Sequence, residues 1–206
     1  PVISSAASDV YKRQNGSTSD TYVGTDGVTV PGVTDRHVYA QTHPALRGKD
    51  VPMVFQTYAE VEFLKAEAAI RGWISSSAEE HYNKGVTAAM KMLKQLYPAS
   101  TAITDAEISA YLAGPGAYDA SKGWEMAMNE YWKATFLNEY EAYANWRRTG
   151  YPTLTPTKHP NSVSNNQIFR RMIYPGGESA TNGDNYAAAV ARQGADDFTT
   201  RMWWDK

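Results

Sequence analysis

Arg147 and Arg148 stand side by side among Tyr140, Tyr143, Trp146 and Tyr151 in the stretch EYEAYANWRRTGYP, residues 139–152. Two adjacent guanidinium groups flanked by aromatic rings carry the donors needed to clamp a phosphate or a nucleic acid. They equally suit the last turn of a helix, where unpaired carbonyls favour cations. Gly150 follows and can take the left-handed conformation past a helix end, and Pro152 cannot continue a helix. The stretch therefore reads first as a helix stop and second as a ligand clamp.

The other residues able to do chemistry are dispersed. His37, His43, His81 and His159 lie apart and form neither a helical His-x-x-x-His pair nor HExxH, so no metal site is expected. There is no GxSxG, no phosphate-binding P-loop and no dinucleotide-binding GxGxxG, and no cofactor is expected. Glu60 and Glu67 are seven apart on one helix, and Glu139 and Glu141 flank Tyr140. A glycosidase needs two acids facing each other across a cleft, and nothing in the sequence marks one. Glu67 with Arg71 has the spacing of a helix-surface ion pair. GGESATNGDN is rich in oxygen side chains but lacks the spacing of a calcium loop.

Composition narrows the classes further. The 206 residues are 42% hydrophobic and 20% charged, which suits a chain that builds a core. The net charge of −2, with basic residues scattered, argues against a general nucleic-acid binder. With no cysteine, the chain has neither disulfides nor thiolate metal sites. No window of about 18 apolar residues is present, so no helix long enough to span a bilayer is expected.

The 6 tryptophans and 14 tyrosines are many for this length. Most should pack in the core. Four stand in loop or helix-opening contexts suited to stacking on flat ligand faces: Tyr22, Tyr39, Tyr118 and Trp124. These are the candidate ligand-binding residues.

Several elements must position them. PVISSAASDVYKRQ, residues 1–14, joins the rest poorly and is expected to be a non-native leader. Residues 15–57 are rich in Gly, Thr, Asp and Val, with a possible hairpin around Asp26-Gly27. From Tyr58 the pattern is helical. Tyr58, Val61, Leu64 and Ala68 share one face, and Ala59, Phe63, Ala66 and Ile70 share another, which predicts a helix packed on both sides. Gly72 stops it. Ser77 with Glu80 predicts a capping box for a second helix to about Leu96, with Tyr82, Val86, Ala89 and Leu93 inward. The two make an αα-hairpin whose Ala78/Tyr82 spacing suggests tetratricopeptide-type pairs, although the Trp-Leu-Gly signature of that repeat is missing.

Thr104 with Glu107 predicts a cap for a short helix ended by GPG at 114–116. A long helical stretch should then run from about Lys122 to Thr149, bending near Asn138. Its stripe is Trp124, Met128, Trp132, Phe136 and Tyr140, widened by Ala127, Tyr131 and Ala134. Residues 152–166 read as loop, and a short helix should end at Gly194. The paired Trp203 and Trp204 suggest that the last residues dock back onto the body.

Four blocks in order complete the reading: TYAEVEFLKAEAAIRGW, AEEHYNKGVTAAM, FLNEYEAYANWRRTGYPTL and FRRMIYPGGES…NYAAAV…GADDFTTRMWWDK. Together they resemble the C-terminal part of the SusD/RagB family, in its SusD-like branch. The WRRTGYP block and the R-R-x-x-Y-P…W-W-D-K ending are the specific parts. The resemblance implies a mainly α fold of tetratricopeptide-like helical hairpins with long irregular loops, truncated relative to a full member. Residues 15–206 would then form the C-terminal part of one SusD-like domain.

The resemblance also implies a surface-exposed lipoprotein of the outer membrane in Bacteroidota-type bacteria. Such a protein binds glycans or peptides without cleaving them and partners a SusC-like TonB-dependent transporter. Membrane attachment would run only through an N-terminal lipid anchor that this chain does not carry, and no nucleic acid is bound. Arg147, Arg148, Tyr151 and Trp203 fall in the recognised motifs and are expected to serve the scaffold. Two other readings remain open from the residues alone. One is a glycan-active hydrolase, from the aromatic and acidic content. The other is a helical-repeat interaction module without a small ligand.

Overall fold

A computed structural model describes residues 49–96, 102–156, 158 and 160–205. The leader expected at 1–14, the hairpin expected around Asp26-Gly27, Tyr22, Tyr39, His37, His43 and His159 lie outside the described residues. All regular elements among the described residues are helical, which agrees with the mainly α reading. The chain divides into two compact units, Pro1–Glu139 and Tyr140–Lys206.

The first unit is built on an αα-hairpin. Helix α1, Tyr58–Ile70, opens with a reciprocal capping box in which Thr57 Oγ1 accepts from Glu60 N and Glu60 Oε1 accepts from Thr57 N. Helix α2, Ala78–Leu96, packs along it, and Ser77 Oγ accepts from Glu80 N at 3.2 Å. Helix α3, Asp105–Leu112, carries the Thr104/Glu107 capping box in full. A 3₁₀ turn at Ala120–Lys122 leads into α4, Gly123–Ala134, which packs on both α1 and α2.

Phe63 sits at the centre of this unit with no exposed surface. Its ring meets Tyr82 of α2 and Tyr131 of α4 edge-on, with centroids 6.3 and 6.4 Å away. These T-shaped pairs add to burial because a ring edge is positive and a ring face negative. Gly85 makes the approach possible. A Cβ there would come within 2.8 Å of the Phe63 ring. Ala59, Ala66, Val86, Ala127, Met128 and Ala134 complete the core.

The two-faced pattern of α1 is only half used. Ala59, Phe63 and Ala66 are buried, whereas Tyr58 and Leu64 on the other face are exposed. The long helical stretch is also divided rather than bent. It breaks between α4 and α5, Glu139–Thr149, at Leu137, whose φ is 81°. Thr135, itself buried, donates its hydroxyl back to Tyr131 O and Trp132 O, and Asn138 N closes a turn on Thr135 O. Such back-bonding satisfies carbonyls that the next helical amides would have used. Tyr140, the last residue of the expected stripe, is exposed.

The second unit holds most of α5, followed by α6, Glu178–Thr181, and α7, Gly183–Gln193. Arg147 and Arg148 occupy the last turn of α5, Gly150 has φ 80°, and the chain leaves through a cis Tyr151–Pro152 bond. The Arg147 guanidinium lies over Tyr143 at 4.2 Å and over Trp204 at 4.5 Å, and donates to Arg170 O at 2.8 Å. Arg148 donates to Asn145 Oδ1. Arg170 covers Trp146 at 4.1 Å and pairs with buried Asp205 at 2.9 Å. Arg171 pairs with Asp196, which also accepts from Tyr174 N. Arginines stack on aromatic faces and satisfy carbonyls together, a task for which their planar fork is suited.

Docking of the last residues falls to Trp204 and Asp205. Trp203, from the same pair, is 90% exposed. Adjacent residues in an irregular segment face different ways, so only one of the two indoles reaches Arg147.

Candidate functional site

The end of α1 builds the best-formed exposed aromatic site. Arg71 is the C-cap, Gly72 follows with φ 71°, Gly72 N bonds Ala69 O and Trp73 N bonds Ala68 O. That pair of bonds is the Schellman arrangement, which needs a residue at ease in the left-handed region. It fixes the backbone of Trp73 against the helix end, while the side chain leaves Trp73 69% exposed overall.

Arg71 joins this loop to α4. Its Nε donates to Glu67 Oε1 at 2.8 Å. Its guanidinium carbon lies 5.1 Å from the Trp73 ring centroid and 4.6 Å from that of Trp124. Glu67 is buried, so the arginine is held at its root by a carboxylate and over its plane by two indoles. The outcome is an exposed indole beside a guanidinium anchored through Nε. A flat, partly apolar ring carrying hydroxyls matches both features.

Trp124 is half-buried in the first turn of α4. Just before it, Asp119 caps the 3₁₀ turn by accepting from Ser121 N and Oγ, and these bonds hold its carboxyl below the usual range. Tyr118 crosses Gly123, where a Cβ would meet its hydroxyl, and tilts against Tyr82 at 5.3 Å. Burial pushes the Tyr118 phenol up. Of the four aromatic candidates, Tyr118 packs on Gly123 and Tyr82, Trp124 lies against Arg71, and Tyr22 and Tyr39 lie outside the described residues. Trp73 was missed by sequence reading. Its one available signal is its position directly after a helix-stopping glycine.

Two of the candidate acids, Glu60 and Glu67, have local partners. Glu60 serves the α1 cap and Glu67 holds Arg71. Glu130 accepts from the Tyr111 hydroxyl and pairs with Lys133, both at 2.6 Å. Glu139 is exposed at the start of α5, and Glu141 is half-buried. Among the described residues, no group of three or more His, Asp or Glu side chains is placed to hold a metal ion. No helix among them is long and apolar enough to cross a membrane.

An open groove of about 550 Å³ lies at the other end of α1, lined by Tyr58, Asn83, Lys84, Thr87 and Lys91 among others. Its lysines are paired with Glu80 and Asp105. It stands a helix length from Trp73, about 20 Å for thirteen residues.

Known proteins place the chain in a family. The model of the SusD-like family, described as starch-binding and associating with the outer membrane, matches residues 3–175. A solved chitin-binding protein is 37% identical, with TM-score 0.70, over 79% of this chain and 36% of its own. The Bacteroidetes AC2a SusD-like structure is 34% identical, with TM-score 0.75, over 83% of this chain and 34% of its own. A SusD homologue from Bacteroides fragilis is 31% identical, with TM-score 0.62, over 72% of this chain and 34% of its own. No curated protein matches the chain. The chain thus spans about a third of the length of these solved relatives. It belongs to the SusD-like family.

Proposed function

We propose that the chain takes part in capturing glycans, or other nutrient oligomers, at the outer membrane without cleaving them. It passes them to a SusC-like TonB-dependent transporter from the cell surface. The observation that carries this reading is the exposed Trp73 indole, fixed by the helix end and bridged by Arg71 to Trp124. The family description as starch-binding and the chitin-binding relative support a carbohydrate ligand. Trp73 stacks on the pyranose face, Arg71 donates to its hydroxyls, and Trp124 backs the guanidinium. The same reading keeps Tyr118, Tyr22 and Tyr39 as ligand-binding residues. Arg147, Arg148 and Tyr151 maintain the scaffold of the second unit, and Trp203 belongs to the same motif.

The test is a thermal-shift screen of the full chain against chito-oligosaccharides, malto-oligosaccharides and peptides, with co-purification of a SusC-like barrel from the same cells. The reading expects a shift with at least one oligosaccharide series, recovered intact, and capture of the barrel. Absence of both, or recovery of shortened glycan, overturns it.

A further inference from the structure

Three side chains in the first unit form an unbroken hydrogen-bonded line. Ser76 Oγ lies 2.9 Å from His81 Nε2, and His81 Nδ1 lies 2.6 Å from Glu62 Oε2. The serine is on the link between α1 and α2, the histidine is one turn into α2, and the glutamate is on α1. Their burial is graded. The Glu62 side chain is 2% exposed, that of His81 is 12% exposed, and Ser76 is open to solvent.

Each contact sets the next. Lys65 Nζ occupies the other Glu62 oxygen, Oε1, at 2.9 Å, so the carboxylate is fixed from both sides. An imidazole that donates from Nδ1 to this carboxylate presents Nε2 as an acceptor, and the group facing Nε2 is the Ser76 hydroxyl. Hydroxyl, imidazole and buried carboxylate in this order form the arrangement that activates a serine. Helix α2 begins at Ala78, two residues beyond Ser76. In its first turn Glu80 N is taken by Ser77 Oγ and His81 N by Ser77 O, which leaves the amides of Ala78 and Glu79, beside the acidic Glu79 and Glu80, as the ones at the positive end of the helix dipole able to face an oxyanion.

We propose that Ser76 is a nucleophile toward carboxylic esters, with His81 as its general base and Glu62 as the carboxylate that positions the imidazole, its substrate class being small O-acyl groups carried on glycans. Ser76 lies on an exposed link, which suits a small acyl group presented on a larger ligand. Trp73 is three residues away, at most about 11 Å along the chain. The glycan part of the assignment rests on the proposed glycan binding. The nucleophilicity of Ser76 does not.

The chemistry closes with water alone. Ser76 Oγ bonds to the acyl carbon as its proton passes to His81 Nε2. The ester C–O bond breaks, and the alcohol leaves with that proton. Water, deprotonated by His81, then attacks the acyl-serine. The carboxylic acid departs, and the proton returns to Ser76.

The experiment treats the full chain with a fluorophosphonate probe and maps the adduct by mass spectrometry, alongside hydrolysis of p-nitrophenyl acetate. The expected result is an adduct on Ser76 and turnover reduced about 10²-fold in Ser76→Ala and in His81→Ala. Glu62→Gln should lower kcat with KM unchanged and slow labelling in the same proportion. Ser76 is exposed, so Ser76→Ala reads chemistry rather than folding. An unlabelled Ser76, or turnover equal in Ser76→Ala, overturns the proposal whether or not glycans bind. If Ser76 is labelled but O-acetylated xylo-oligosaccharides release no acetate, the glycan ester class is overturned and the nucleophile is upheld.

Discussion

The Arg71 guanidinium lies 5.1 Å from the exposed Trp73 ring while its Nε is tied to buried Glu67 at 2.8 Å. The indole is thus the free surface, and the arginine is its fixed neighbour. Trp73→Ala should leave unfolding free energy within about 0.5 kcal/mol, because an exposed ring contributes little burial. It should weaken oligosaccharide binding at least about 10-fold, as loss of an aromatic anchor does. Arg71→Lys keeps the charge but loses the planar stack, and should weaken binding less than Trp73→Ala. Calorimetry of the three proteins checks the order.

Gly72 holds the turn that presents Trp73. Nothing lies within 4 Å of a Cβ built there, so any cost of substitution is conformational rather than steric. With φ at 71°, Gly72→Ala should destabilise the chain by about 1 kcal/mol or more, read as a lower urea midpoint at unchanged m-value.

Glu62 predicts acid sensitivity with a defined sign. Burial alone would raise its pKa, but hydrogen bonds from His81, Lys65 and Tyr58 outweigh burial and bring it from 4.5 to about 2. A folded pKa below the unfolded one means that the ionised group favours the native state. That contribution is complete above about pH 4.5 and fades as pH falls toward about 2. Urea titrations at pH 6 and pH 3 should show a loss of stability on acidification, and Glu62→Gln should flatten it.

Asp205 anchors the end of the second unit. Its Oδ1 receives Arg170 at 2.9 Å and Arg201 at 3.4 Å, and its side chain is fully buried. Asp205→Ala strands the largely covered Arg170, at a cost of about 3 kcal/mol. Arg201→Ala removes a half-exposed partner and should cost under about 1 kcal/mol. Limited proteolysis around residues 196–204 should accelerate in the first variant alone.

Local signals read well from sequence where they are local in cause. The Thr104/Glu107 box and the Gly72 and Gly150 stops depend on neighbours within a few residues. The irregularity near Asn138 was legible as a bend, but a full break at a left-handed Leu137 was not, because leucine gives no composition cue for that backbone and the apolar stripe continues across it. The half-exposed face of α1 carries the same apolar spacing as a buried one. Trp73 and Trp203 could not be told from core tryptophans by type alone, since exposure is decided by segments distant in sequence. The Ser76–His81–Glu62 line joins two helices, and no spacing within either one announces it.

Isothermal titration of the full chain and of Trp73→Ala with chito-oligosaccharides and malto-oligosaccharides, followed by chain-length analysis of the recovered sugar, tests the central claim most directly. The account predicts saturable binding by the wild-type chain, at least about 10-fold weaker in Trp73→Ala, with every oligosaccharide recovered at its starting length. Equal affinity in the two proteins, or shortened sugar, would contradict it.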